Sequence, residues 1–152
     1  MTRVALDTNV LVYIAGIAKV SEDHAKIART HALLAGISRS ATLVIPVQAL
    51  GEMFVVMRRI GYPADKCRAA VLEMAGELDT PPSEARTLFS ALDLAVDHKL
   101  QHWDAMILSA AADAGCTMLL SEDMQHGFVV RGVTVINPFA ADIHPKLAAL
   151  LA

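Results

Sequence analysis

A chain of 152 residues with a formal charge of -3 fits one domain, residues 1–152, large enough to bury about 68–70% of the surface its unfolded form exposes. A pI near 6.0 excludes a general attraction for nucleic acid, so any polyanionic partner must be held locally, by a metal ion or a basic rim. Hydrophobic side chains make up 55% of the chain, and adding glycine brings the apolar share to about 60% against about 45–50% for an average protein, which predicts subunit or partner interfaces.

Arg3-Val4-Ala5-Leu6 is a short apolar run that stops at Asp7. It reads as a buried strand delivering Asp7 to the carboxyl edge of a sheet, where open α/β folds build their sites. Thr8 and Asn9 suit the turn, since their side chains can cap the helix that follows. Segment 10–18 is too short to span a bilayer, and Asp7-Thr8-Asn9 breaks a signal-peptide pattern, so a cytoplasmic protein without membrane contact is expected. Cys67 and Cys116 form neither a disulfide framework nor a metal-ligand spacing and read as buried thiols.

Ser21 is the expected cap of a second helix, with Ala25, Ala28, Ala32 and Ala35 along one face. Thr42-Leu43-Val44-Ile45 is a second strand, and Pro46 opens a third helix directly after it. On that helix Val47, Leu50, Phe54 and Met57 follow helical spacing, and Glu52 is the only acid between Leu43 and Gly61. Arg58 and Arg59 close it, where cations complement the helix dipole. A fourth helix is predicted over 64–76 and a short strand over 78–80. Ser83 is the expected cap of a fifth helix whose stripe is Ala85, Leu88, Leu92, Ala95 and Val96, leaving Asp93 and Asp97 to solvent.

Trp103, Met106, Ile107, Ala110, Ala111 and Ala114 then match a buried helix, with Asp104 in its first turn and Gly115 at its end. Thr117-Met118-Leu119-Leu120 repeats the opening pattern, a strand emptying into Ser121-Glu122-Asp123. Val133-Thr134-Val135-Ile136 is a last strand, stopped by Asn137-Pro138, and a short apolar tail follows. Strands alternating with helices predict a parallel sheet covered on both faces.

Taken singly, each acid has an ordinary explanation: a helix cap for Asp7, a solvated face for Glu52, a dipole partner for Asp104, a turn residue for Asp123. Together they can converge on one sheet edge. Hard oxygen ligands in that number suit Mg²⁺ or Mn²⁺, and without a cation they would raise one another's pKa. The six histidines are scattered, which argues against zinc. Such an ion would activate a water for phosphodiester hydrolysis, so no serine or cysteine nucleophile is needed. Arg58, Arg59, Lys66, Arg68, Lys99 and Arg131, with His102 and His126, are the candidates for contacting a polyanionic substrate. Aromatics at 5% argue against an extended stacking platform.

Leu6-Asp7-Thr8-Asn9-Val10-Leu11, Trp103-Asp104-Ala105, Leu119-Leu120-Ser121-Glu122-Asp123 with Gln125-His126-Gly127, and Asn137-Pro138-Phe139 resemble the signature blocks of PIN-domain nucleases. More narrowly they resemble the VapC-type toxins of toxin–antitoxin pairs, in the right order along essentially the whole chain. The resemblance implies a three-layer α/β/α sandwich with a five-stranded parallel sheet, Mg²⁺-dependent endoribonuclease activity, dimerisation, and inhibition by a cognate antitoxin. Carried over by position, it makes Asp7, Glu52, Asp104 and Asp123 the acidic cluster, with Thr8, Asn9 and Ser121 as supporting polar groups. Asp7 and Asp104 are assigned the principal metal, Glu52 and Asp123 the orientation of water. Glu122 is left as an alternative to Asp123. Gly51 departs from the family pattern, in which a small hydroxyl residue often precedes the glutamate.

Other chemistries fit less well. A haloacid-dehalogenase-like phosphatase needs a second aspartate where Asn9 stands, and a receiver-type phospho-switch needs adjacent acids at the first strand's end. A degenerate PIN-like binding module should have lost an acid.

Overall fold

A computed structural model describes residues 1–152. Its sheet is built from β1 (Thr2–Leu6), β2 (Ala41–Val44), β3 (Met118–Leu120), β4 (Val129–Val130) and β5 (Val133–Ile136), in the order β2-β1-β3-β5-β4. Four strands are parallel, with Ala5 opposite both Val44 and Leu119, and Leu119 opposite Val135. Consecutive residues along Val4-Ala5-Leu6, Met118-Leu119-Leu120 and all of β5 are buried. Side chains alternate between the faces of a strand, so burial of every residue means that both faces are covered. Seven helices supply that cover, giving the α/β/α sandwich.

The sheet differs from expectation at its fifth strand. β4 runs antiparallel to β5, so the sheet is mixed rather than wholly parallel. The two strands are joined by Arg131 and Gly132, with φ of 50° and 77°, the left-handed pair that a two-residue hairpin turn demands. The expected strand over 78–80 is reduced to one parallel bridge between Val44 and Asp79.

The helices are α1 (Thr8–Ile14), α2 (Asp23–Ile37), α3 (Val47–Ile60), α4 (Ala64–Glu77), α5 (Ala85–His98), α6 (His102–Asp113) and α7 (Pro145–Leu151). Two predicted apolar faces are turned outward. On α2 the four alanines are exposed, while Thr30 and Ile37 are buried. On α5, Leu88, Leu92 and Val96 face solvent together with Phe89, and the core side is Thr87, Ala91 and Leu94. Small residues on that side let α5 lie close against α6, where the Ser109 hydroxyl donates to the Thr87 carbonyl at 2.8 Å. Thr87 also donates to Asp113, and Arg131 donates to both Asp113 and Ser109. This network ties α5, α6 and the hairpin together, and it takes Arg131 out of the set free to contact RNA.

Ser21 and Ser83 do not cap their helices. Asp23 instead accepts from the backbone N–H groups of Lys19 and Val20, and α5 opens with a reciprocal box between Glu84 and Thr87. Both cysteines are buried and unbridged. No helix is long and apolar enough to cross a membrane.

Candidate active site

The carboxyl edge of the parallel strands is stitched one residue beyond the strands themselves. Asp7 N–H donates to the Leu120 carbonyl and Ser121 N–H to the Ile136 carbonyl, each at 3.0 Å. These bonds fix the two polar residues that follow β1 and β3 at neighbouring positions on one edge. Ser121 Oγ then donates to Asp7 Oδ2 at 2.7 Å, and the Thr8 N–H donates to Asp7 Oδ1 at 2.7 Å. Asp7 is therefore the N-cap of α1, the ordinary role its position allowed, and Thr8 and Asn9, the other capping candidates, do not cap the helix.

Those two residues are used differently. Thr8 Oγ1 donates to Glu52 Oε2 at 3.0 Å, and the Asn9 amide donates to Asp123. Pro46 ends β2 and starts α3, so Glu52 faces α1 from the second turn of that helix. Asp104 sits in the first turn of α6. Glu122 points elsewhere: it accepts from Tyr13 at 2.7 Å and pairs with Lys26. Its carboxylate is engaged by structural partners, which leaves Asp123 as the acid of that turn facing Asn9.

Electrostatics link the four acids. Burial raises the Asp7 carboxyl from an ordinary 3.8 to about 6, against the bonds from Ser121 and Thr8 that lower it, and the charges of Asp104 and Glu52 add to the rise. Glu52 is raised by burial and by Asp104, partly offset by the Thr8 hydroxyl. Asp104 is raised by burial and by Asp123. Like charges held together at a partly buried edge are an unfavourable arrangement unless something positive joins them.

Glu52 Oε1 is a buried acceptor with no partner. An orphaned carboxylate oxygen beside other acids, with no lysine or arginine paired to any of the four, fits a hard cation better than it fits a folding role. The side chains do not stand as a closed cage of three or more ligands; they line an open edge.

Two clefts flank the cluster. One, of about 380 Å³, is lined by Gly51, Glu52, Val55, Val56, Arg59 and Trp103. The other, of about 280 Å³, includes Lys99, Gln101, Asp104, Asp123 and Gln125. Trp103 was expected in the core from its helical spacing, yet it is 58% exposed while Met106, Ile107, Ala110 and Ala111 are buried. At the second position of α6 it lies ahead of the packed turns.

The PIN domain family matches residues 4–127 of the sequence, a span that contains all four acids. The chain belongs to the PIN-domain family. No curated protein matches it closely in sequence. Among solved structures, this PIN domain is similar to that of VapBC2 from Rickettsia felis bound to a DNA fragment from their promoter, with a TM-score of 0.61 and 15% identity over 80% of this chain and 89% of the other. It is also similar to VapC20 of Mycobacterium tuberculosis, a Sarcin-Ricin loop cleaving toxin, with a TM-score of 0.56 and 20% identity over 76% of this chain and 86% of the other.

Proposed function

We propose that this PIN domain is a Mg²⁺-dependent endoribonuclease, with Mn²⁺ as a possible substitute, and that it is the toxin of a toxin–antitoxin pair. The observation that carries the reading is the open acidic edge itself, with a buried glutamate oxygen left unpartnered. The likeness of fold to VapC20 and VapBC2 supports the toxin assignment, and the exposed apolar side chains of α5 offer surface for a second copy or an antitoxin.

Asp7 and Asp104 would hold the principal ion, with Glu52 and Asp123 positioned to accept protons from water or to complete the coordination. When bound, such an ion lowers the pKa of water and stabilises the charge that develops on the scissile phosphate. The chain's own side chains do the rest. Ser121 fixes the direction of the Asp7 carboxylate, Thr8 fixes that of Glu52, and Asn9 fixes that of Asp123. Asp7 must be ionised to act, and its raised pKa means that a cation competes with a proton for this carboxylate as pH falls to about 6 and below.

The test is cleavage of a mixed RNA panel by the purified protein in Mg²⁺ or EDTA, comparing wild type with Asp104→Asn. Metal-dependent cutting that this near-isosteric change abolishes supports the reading. Equal inertness of both proteins on every RNA, also in Mn²⁺ and after removal of any co-purified inhibitor, would favour a binding module without catalysis.

A further inference from the structure

The chain has one tryptophan, and it stands in the open beside the acids. An indole carries a large apolar surface, and leaving it exposed forgoes burial that the fold could have used. Its only aromatic neighbour is His102, whose ring meets it edge-on at 4.9 Å between centroids. The cleft it lines has Gly51, Val55 and Val56 as apolar lining and two charged residues, Glu52, which belongs to the acid cluster, and Arg59, which forms no ion pair. A volume of about 380 Å³ lies within the range of small-molecule sites, about 300–1,000 Å³.

Gly51 lines this cleft and also a neighbouring one with Leu50, Phe54 and Leu72. A Cβ at position 51 would meet nothing within 4 Å, so this part of the lining is unobstructed.

We propose that this cleft takes one unpaired nucleobase of the RNA next to the scissile phosphate, stacked on the Trp103 indole, with Arg59 neutralising a phosphate beside it. Every base offers a π-face to an aromatic ring, whereas a duplex hides those faces, so the cleft selects single-stranded or looped RNA. One indole provides for one base and not for an extended platform, in keeping with the low aromatic content. A second copy of the chain fits less well, because the cleft is lined by a charge of each sign while the apolar surface of α5 is not. The inference rests on the nuclease reading, and its test separates the two.

Because Trp103 is the sole tryptophan, its fluorescence reports the cleft alone. Titrating the Asp123→Asn protein in Mg²⁺ with a mixed-sequence single-stranded 12-mer RNA is expected to quench that emission, and the matching duplex to quench it far less. In the otherwise wild-type protein, Trp103→Ala is expected to raise KM about 10- to 100-fold, more than it lowers kcat, and Trp103→Phe to restore most of the loss. Cleavage with no quenching and an unchanged KM in Trp103→Ala would overturn the base site while leaving the nuclease reading intact. Quenching by single-stranded RNA in a protein that cleaves nothing would do the reverse. A shift of Trp103→Ala to a smaller species in sedimentation would make the indole a subunit contact and also overturn the proposal.

Discussion

Replacing Asp7 with asparagine should stabilise the metal-free protein, although it should abolish activity. The folded state holds the Asp7 carboxyl at about 6 and the unfolded chain at 3.8, a separation worth about 3 kcal/mol at about 1.4 kcal/mol per pH unit. A group with a raised folded pKa contributes its full stability below its unfolded pKa and loses it as pH climbs to the folded value. The wild-type protein in EDTA should therefore lose stability between about pH 4 and pH 6, and above that carry a buried carboxylate that nothing neutralises. Glu52 and Asp104, raised in the same direction, add to the same trend.

Asparagine keeps part of this pattern: its carbonyl oxygen can still accept from the Thr8 N–H, but its amide cannot accept the Ser121 hydroxyl proton that Asp7 Oδ2 takes, which offsets part of the gain. The expected gain at pH 8 is then about 1–2 kcal/mol, or about 2–8 °C in unfolding temperature for a domain of this size. The assay is thermal unfolding in EDTA at pH 4.5 and pH 8 for both proteins, repeated with excess Mg²⁺. The gap should be wide at pH 8, small at pH 4.5, and narrowed by Mg²⁺, which stabilises only a protein with an intact site. A variant less stable than wild type at pH 8, or a gap equal at the two pH values, would refute the reasoning.

At subsaturating Mg²⁺, cleavage should fall as pH drops through about 6, because a protonated Asp7 binds a cation poorly, and raising Mg²⁺ should move the fall to lower pH; a profile flat down to pH 5 at subsaturating Mg²⁺ would remove Asp7 from the site. Gly51→Ala should raise stability by about 0.5–1 kcal/mol, since the new methyl group meets nothing and helix interiors favour alanine, and urea unfolding would read the gain. Val96→Glu, at a side chain 79% exposed, should leave the monomer folded but weaken self-association in sedimentation if the outward face of α5 meets another copy.

The sheet edge was legible because its logic is written twice in the sequence. Leu6-Asp7 and Leu120-Ser121 each end an apolar run with a polar residue, and a strand buried on both faces can place such residues only at its ends. Glu52 was legible through Pro46, which turns β2 straight into α3. The errors share a cause. Periodicity finds the apolar stripe of a helix without saying whether that stripe meets the core, which is how Leu88, Leu92 and Val96 came to be assigned inward while Thr87 and Ala91 hold the interior. The β4–β5 hairpin was missed because Arg-Gly is a weak signal for a turn usually marked by Asn-Gly.

Local rules of stability and the demands of the site pull apart at three places in this chain, and all three lie along one edge. A carboxylate is buried with other carboxylates, a glutamate oxygen is left without a donor, and the one indole is kept out of the core. The rest of the domain is consistent: hydrophobic strands covered on both sides and a buried polar network paired around Ser109 and Asp113. Two buried side-chain oxygens lack a donor, Gln48 Oε1 and Glu52 Oε1, and of these only the glutamate is a carboxylate set beside another acid, Asp104. The cost is best explained by what binds there, a cation for the acids and, on our proposal, a base for the indole, which is why stability in EDTA and affinity for RNA are the two quantities expected to move in opposite directions when the edge is altered.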